Sequence, residues 1–277
     1  MPDKHILVPI DFSSDSIRAL EYAFGLSKIL ESKVKLIHVK RQNADYDASF
    51  NLNDFDEVLQ NKVEDNFSQL IGKMAIKYKT DIDYSIREGR IYTEICNQAK
   101  YGDSQLIIMG THGVSGFEER WVGSNAYRVV SHSPCPVITV RNNFPMRAIK
   151  KIILPIDKSA YSRQKVPFVV NLAKRLQAEL FIVALRENDR SGTLKIIEEY
   201  MTQVKAYVKR RNINCSYENL KGRNLADLCI EYALLNDADI VAIMTEQNDN
   251  TKSFWLGQYA QQMVNHSPVP VLSFRSW

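Results

Sequence analysis

The stretch KHILVPID at residues 4–11 returns almost unchanged as KKIILPID at residues 150–157. The offset of 146 residues then holds without a gap as far as residues 36–39, which stand opposite residues 182–185. Each copy of the stretch is a short apolar run that ends in aspartate, the pattern of a buried strand followed by a turn. A run repeated in this way indicates that the chain contains one structural unit twice.

Later matches keep the same order. EGR at residues 88–90 matches KGR at 221–223, and HSPCPV at 132–137 matches HSPVPV at 266–271. The offset has then fallen to 133 or 134 residues, so the second copy is about a dozen residues shorter, with the loss in one central region. We expect the boundary after the first copy's last strand, with domains at residues 1–145 and 146–277.

Apolar patterns alternate between strand and helix within each copy. Nearly continuous apolar runs predict strands that are buried on both faces of a parallel sheet. In the first copy these strands are predicted at residues 5–10, 34–39, 81–86, 105–109 and 136–140. Helical spacing of apolar residues spans 55–74, and 194–208 in the second copy. The sequence therefore predicts an α/β protein with two tandem doubly wound domains. Each domain has a five-stranded parallel sheet of order 3-2-1-4-5 with helices on both faces.

The composition narrows the class of protein. The 277 residues carry a formal charge of +4 that is spread along the sequence, so no basic arm or stripe predicts nucleic-acid binding. The four cysteines form no CxxC pair and no metal-ligand spacing with histidine, which favours small buried thiols in a reducing compartment. No segment approaches the ~18–20 apolar residues of a membrane helix. We expect a soluble cytoplasmic protein with no membrane partner.

The candidate site lies where strand order reverses, beyond the carboxyl ends of strands one and four. Asp11 ends the first strand, and the glycine-containing loop GTHGVSG at residues 110–116 follows the fourth. A helix then opens at WVGSN, residues 121–125. The glycines at 110 and 113 permit positive φ and close backbone approach, and the amides of residues 123–125 lack intrahelical partners. Such a helix start favours phosphate, although a loop of this kind can also be only a turn.

The loop resembles a known family. Gly110, Gly113, Gly123 and Ser124 fit the pattern G-x2-G-x9-G-[ST], which is the ATP-binding signature of the universal stress protein family. The first strand, the fourth strand and the SPCPV segment at 133–137 also resemble that family. The likeness extends over essentially the whole chain as a tandem pair.

The resemblance implies specific roles in the first copy. The residues expected to hold adenine, ribose and phosphates are Pro9, Ile10, Asp11, Val39, Met109, Gly110, His112, Gly113, Gly123, Ser124 and Asn125. A Mg²⁺ ion, if bound, would be held by the nucleotide phosphates and Ser124. Alternatives stay open at this stage: Asp11 could cap the helix near Ser13, Val39 and Met109 could be plain core, and His112 could be a solvated loop residue.

The second copy has lost this pattern. Met244 replaces Gly110, Gln247 replaces Gly113 and Gln258 replaces Ser124, whereas Gly257 is retained. We expect the second copy not to bind nucleotide and to pair with the first as family members pair in homodimers. The last strands, residues 137–140 and 269–274, are the expected contact because an unpaired apolar edge strand is a liability. A homodimer of whole chains stays open.

The leading hypothesis is an ATP-binding stress-response protein that acts as a nucleotide-dependent sensor or partner-binding module, with ADP or AMP as other candidate nucleotides. Because no Walker A, GxGxxG, HExxH or GxSxG motif is present, we predict no enzyme beyond weak ATP hydrolysis. The alternatives are a nucleotidyl or phosphoryl transferase and a scaffold that binds no nucleotide. His132 and His266 are expected to act at helix ends, and Lys4, Arg87 and Arg90 to be solvated.

Overall fold

The computed structural model describes residues 4–41, 53–79, 82–111, 123–245 and 256–276, with the backbone only for residue 41 and residues 53–60. In the first half the elements are β1 (His5–Pro9), α1 (Ser14–Leu30), β2 (Lys33–Arg41), α2 (Asn53–Tyr78), β3 (Asp83–Gly89), α3 (Ile91–Tyr101), β4 (Ser104–Gly110), α4 (Ser124–His132) and β5 (Val137–Val140). In the second half they are β6 (Lys151–Ile156), α5 (Val166–Leu176), β7 (Glu179–Arg186), α6 (Ser191–Lys209), β8 (Cys215–Lys221), α7 (Leu225–Leu235), β9 (Ile240–Thr245), α8 (Gln258–His266) and β10 (Val271–Arg275).

The strands form one ten-stranded sheet of order β3-β2-β1-β4-β5-β10-β9-β6-β7-β8. Within each half the order is 3-2-1-4-5 and the pairings are parallel, as the sequence predicts. The halves join through β5 and β10, which pair antiparallel with Ile138 opposite Leu272. The expected contact between the last strands is therefore confirmed, and it makes the whole sheet mixed.

Helices cover both faces of this sheet. The side chains of α1, α2, α5 and α6 pack on one face, and those of α3, α4, α7 and α8 pack on the other. Strand side chains alternate between the two cores, as in β1, where Ile6 and Val8 face the first set of helices and Leu7 faces the second. None of the described helices is both long and apolar enough to cross a membrane.

Two boundaries differ from the sequence pattern. Strand β3 runs from Asp83 to Gly89 and not over 81–86, because its register follows its pairing with β2 and most of its side chains are not buried. In the second half α5 begins at Val166, six residues later in the repeat than α1. Pro167 lies in its first turn, the place in a helix where proline is tolerated.

The segment between the halves is packed and not free. Phe144 and Ile149 are buried, 7% and 5% exposed. Between them, Arg147 forms ion pairs with Asp237 (2.8 Å) and Asp239. The Oδ2 atom of Asp239 accepts hydrogen bonds from the backbone N–H groups of Lys150 and Lys151, at the start of β6, at 2.7 and 2.9 Å. This segment therefore closes the amino edge of the second half.

Candidate nucleotide site

A cavity of about 200 Å³ lies at the carboxyl ends of β1, β2 and β4, beside the start of α4. It brings together nine of the eleven residues expected from the sequence. These are Pro9, Ile10, Asp11, Val39, Met109, Gly110, Gly123, Ser124 and Asn125. His112 and Gly113 lie outside the described residues. The cavity therefore occupies the switch point between β1 and β4.

Gly110 is required by the approach of a helix. A Cβ at this position would lie 2.6 Å from Asp15 Cβ and 2.7 Å from the Asp15 carbonyl carbon, distances that real Cβ atoms do not show. The φ of Gly110 is outside the left-handed region, so the glycine is needed here for close backbone approach and not for positive φ. The missing side chain lets the first turn of α1 pack directly on the end of β4.

The start of α4 presents backbone amides that have no acceptor among the described residues. Gly123 is the N-cap and supplies no side chain, and its N–H donates to the Thr111 carbonyl at 2.7 Å. The Gly123 amide thus has no intrahelical partner, as expected, but it is already engaged by Thr111. The N–H groups of Ser124 and Asn125 have no acceptor among the described residues. Both residues line the cavity, where the helix dipole favours an anion.

The Asp11 carboxylate shapes the loop between β1 and α1. Its Oδ1 accepts from the Ser13 N–H (3.0 Å) and the Ser13 hydroxyl (2.5 Å). Ser13 is the residue that caps α1, since its Oγ accepts from Ser16 N at 3.2 Å. The same turn recurs in the second half, where Asp157 accepts from Ser159 N at 2.8 Å. Oδ1 of Asp11 thus belongs to the turn, and Oδ2 has no hydrogen bond with the described residues.

His38 is a cavity residue that the sequence reasoning missed. Its Nδ1 donates to the Ile10 carbonyl at 2.7 Å, which assigns the ring proton to Nδ1 because a carbonyl only accepts. The ring lies 5.5 Å from that of Phe12, a non-glycine residue with φ 64°, in the left-handed region. A polar residue inside a buried strand, with Ala184 at the repeated position, is the signal that could have identified it.

A buried acid and a half-buried cation stand behind the cavity. Thr111 Oγ1 donates to Asp15 Oδ2 at 3.3 Å. Burial lowers the pKa of Arg141, and the nearby Asp15 carboxylate opposes this shift. The Arg141 guanidinium also donates to the carbonyl of Asn265, so it links the rear of the site to the second half.

Other ionisable groups are placed away from the cavity. Arg87 and Arg90 are exposed, and neither they nor Lys4 line it. His132 ends α4 and donates through Nδ1 to the Arg128 carbonyl at 2.8 Å, the helix-end role expected for it. His266 is likewise the last residue of α8.

All four cysteines are free thiols, and burial raises the pKa of three of them. Desolvation raises the pKa of Cys96 to about 12, and the pKa values of Cys135 and Cys229 to about 11 each. A thiol with so high a pKa is a poor nucleophile. The described residues also contain no group of three or more His, Cys, Asp or Glu side chains that could hold a metal ion.

The second half is built differently at the equivalent place. Met244 is 5% exposed where the first half has Gly110, and Lys165 is 2% exposed where it has Ala19. Met244 and Lys165 line a void of only about 10 Å³, and the Lys165 ammonium donates to the Ser162 carbonyl at 2.6 Å. A cavity of about 730 Å³ adjoins this void and extends towards α6, and it is lined by the counterparts of Asp11, Val39, Ser124 and Asn125, which are Asp157, Leu185, Gln258 and Tyr259, but by no residue of β9.

A family model described as the universal stress protein family matches residues 3–141 and again residues 148–275. The chain belongs to the universal stress protein family. Each of two curated relatives aligns with about half of the chain. Universal stress protein MJ0531 of Methanocaldococcus jannaschii is 30% identical over 142 residues, which cover 50% of this chain and 82% of that protein. Universal stress protein YxiE of Bacillus subtilis is 28% identical over 144 residues, 49% of this chain and 97% of that protein.

Two solved structures match this universal stress protein along its whole length. A universal stress protein from Archaeoglobus fulgidus DSM 4304 has a TM-score of 0.78 at 18% identity, with 99% of each chain covered. A putative universal stress protein from Pseudomonas aeruginosa UCBPP-PA14 has a TM-score of 0.66 at 16% identity, with 99% of this chain and 93% of that chain covered. At these identities the likeness establishes the tandem fold.

Proposed function

We propose that the first half binds an adenine nucleotide, ATP in the first instance, and that the protein is a cytoplasmic nucleotide-dependent module for stress response and partner binding. One observation carries the proposal. The cavity at the switch point between β1 and β4 is bordered by the Ser124 and Asn125 amides, which have no acceptor among the described residues. A phosphate group bound there would accept hydrogen bonds from these amides.

The lining divides into an apolar and a polar side. Ile10, Val39 and Met109 provide apolar contact suited to adenine, and Asp11 Oδ2 is an acceptor suited to a ribose hydroxyl. Phosphates would follow towards Ser124 and Asn125. The volume of about 200 Å³ is below the ~300–1,000 Å³ typical of ligand pockets, so the described residues enclose part of a nucleotide. His112 and Gly113 are proposed to complete the phosphate contacts.

A Mg²⁺ ion fits this arrangement only as a companion of the nucleotide. The described part of the chain offers no carboxylate cluster that could hold the ion by itself. Magnesium commonly keeps several waters and binds through substrate phosphates with one or two protein ligands. The Ser124 hydroxyl, exposed at the first turn of α4, is the protein ligand that we propose.

We propose that the second half supports the first and does not bind ATP. The Met244 side chain and the Lys165 ammonium occupy the region that corresponds to the end of β4. The cavity of about 730 Å³ at the corresponding place in this half has Gln258 in the position of Ser124, and no residue of β9 lines it. A phosphate chain there would have no glycine approach equivalent to that at Gly110.

A charge placed at the start of α4 tests the site without removing the fold. An acidic residue in the first turn of a helix is favoured by about 0.3–1 kcal/mol, so Ser124→Asp should fold at least as stably as the parent protein. Its carboxylate would repel phosphate, and we expect the affinity for Mg-ATP to fall at least tenfold in isothermal titration calorimetry. The matched control is Gln258→Asp, the same change at the start of α8, which should leave ATP binding unchanged.

Three results would count against the proposal. Absence of heat and of a thermal shift with Mg-ATP in the parent protein would favour the scaffold hypothesis. Loss of binding in Gln258→Asp alone would place the nucleotide in the second half. Rapid product formation during incubation with ATP would favour the transferase or hydrolase hypothesis. The nucleotide that copurifies with the protein, identified by mass spectrometry, would distinguish ATP from ADP and AMP.

A further inference from the structure

A groove of about 1,110 Å³ runs along the seam between the halves, at the amino ends of β1, β4 and β5. We call it the seam groove. One wall is the carboxyl-terminal part of α1 and the other is α5. It is at the opposite edge of the first half from the nucleotide cavity, because it adjoins the starts of the strands and not their ends.

The seam groove has a basic rim and an apolar floor. Five cationic side chains line it, and all five are exposed: Lys4, Lys28, Lys33, Lys79 and Arg175. Glu31 is the one acidic residue among its described lining residues. Half-buried apolar groups, including Tyr78 and Phe168, lie between the cations. A surface of this kind complements a ligand that carries negative charge along an apolar stem.

The repeat shows what such a groove can hold. The corresponding region of the second half is covered by the segment between the halves, with Arg147 paired to Asp239. Tyr22, the counterpart of Phe168, is 3% exposed there, and Asp239 is 4% exposed. The segment between the halves thus occupies this region of the second half, and the ion pair between Arg147 and Asp239 holds it there.

The charges differ beside the first half. Gln105 stands where the second half has Asp239, and Lys33 stands where it has Glu179. The second half's groove uses acidic groups to hold a basic segment. The seam groove has the neutral Gln105 in place of Asp239, and it has cations from α5 and from the end of α2. The geometry points to an extended acidic segment of a partner protein, with interspersed apolar residues, as the ligand of the seam groove.

Fluorescence anisotropy with a labelled peptide of alternating glutamate and leucine tests this inference on the full chain. We expect the peptide to bind at low ionic strength and to weaken as salt is added, since exposed charges are screened beyond about 8 Å at physiological ionic strength. The double variant Lys28→Glu with Lys79→Glu should weaken binding at least tenfold. A peptide with lysine in place of glutamate should not bind.

The repeat offers a matched control. Lys174 is the counterpart of Lys28, lies in the last turn of α5 and does not line the groove. Lys174→Glu should therefore bind the acidic peptide as the parent protein does, and thermal melting should show that both variants fold. The inference is overturned if the parent protein fails to bind, if the double variant binds equally, or if tripolyphosphate or a single-stranded oligonucleotide binds in place of the peptide.

Discussion

Gly110 and Met244 occupy the same position of the repeat, and the difference between them reaches the first helix of each half. At Gly110 the Asp15 backbone packs within 3 Å of where a Cβ would be, so α1 can begin at Ser14. The second half has methionine at this position, and residues 160–165 form turns where the first half has the start of its helix. Helix α5 therefore begins only at Val166. The proposed phosphate site therefore depends on the absence of a side chain at residue 110.

Gly110→Ala should lower both stability and affinity. The added methyl group meets helix backbone, which cannot move as a flexible side chain can, and we expect a loss of about 1–3 kcal/mol in the free energy of unfolding. The control is Gly25→Ala inside α1, where a Cβ meets nothing within 4 Å and should stabilise by up to about 1 kcal/mol. Urea titrations measure both, and equal stability of the two variants would refute the steric account.

The sequence predicted most of the site at this scale because glycines and helix starts leave local patterns. Nine of the eleven expected residues line one cavity. His38 and Thr111 were missed, since their contacts with Ile10 and Gly123 join separate elements and leave no local pattern. The engagement of the Gly123 amide was missed for the same reason. A hydrogen bond across a loop depends on the loop's path, which residue spacing does not determine.

Helix α1 is the element on which the most features of the molecule depend. Its start adjoins the nucleotide cavity, its end lines the seam groove, and Arg175 of α5 donates to its last carbonyl, that of Leu30, at 3.3 Å. On the side facing the second half, Tyr22 is buried beside Asp239 and Arg147. Its hydroxyl has no hydrogen-bond partner among the described residues. Burial, and secondly the Asp239 carboxylate, raise the pKa of Tyr22.

Tyr22→Phe should be neutral, or stabilising by up to about 1 kcal/mol, near pH 8, because it removes a buried hydroxyl that makes no bond. The raised pKa adds a dependence on pH. The ordinary pKa of tyrosine, about 10, applies to the unfolded chain, and below that pH Tyr22 keeps its proton in both the folded and the unfolded chain. As the pH rises above about 10, the unfolded chain ionises first, so the stability of the folded state falls. The variant should lose less stability than the parent protein between about pH 8 and pH 10.5.

Tyr127→Phe is the matched control for this substitution. The Tyr127 hydroxyl accepts the Leu256 N–H at 3.1 Å, so its removal leaves an amide unpaired and should cost about 1–3 kcal/mol. Urea unfolding at each pH measures both variants. If Tyr22→Phe proved the more destabilising of the two, the reading of the Tyr22 hydroxyl as unpaired would be wrong.

At the scale of the whole molecule, the sheet makes the two halves one body. Ile138 and Leu272 are opposite each other across the β5–β10 pairing, and both are 0% exposed. The strand order and this pairing followed from the repeat, because an apolar last strand needs a partner. The seam groove did not follow, since its cations come from positions as distant as Lys4 and Arg175. The fold brings together, in one groove, basic residues that are far apart in the sequence.

Ile138→Lys should separate the unfolding of the halves. A buried ammonium opposite Leu272 should cost more than about 3 kcal/mol, and we expect the calorimetric transition to divide into two or to broaden. Ile138→Val keeps the apolar contact and should cost only about 0.5–1.5 kcal/mol within one transition. An unchanged single transition in Ile138→Lys would show that the halves are coupled elsewhere.

The antiparallel pairing of β5 with β10 determines from which side of the sheet each cavity is reached. Since each half is internally parallel, the joint turns the second half head to tail, and the two carboxyl-end cavities open at opposite rims of the common sheet. The seam groove then shares a rim with the second half's cavity and not with the proposed nucleotide cavity. If both proposals hold, a partner docked in the seam groove would leave the entrance of the proposed nucleotide cavity open, and the two ligands would bind in either order.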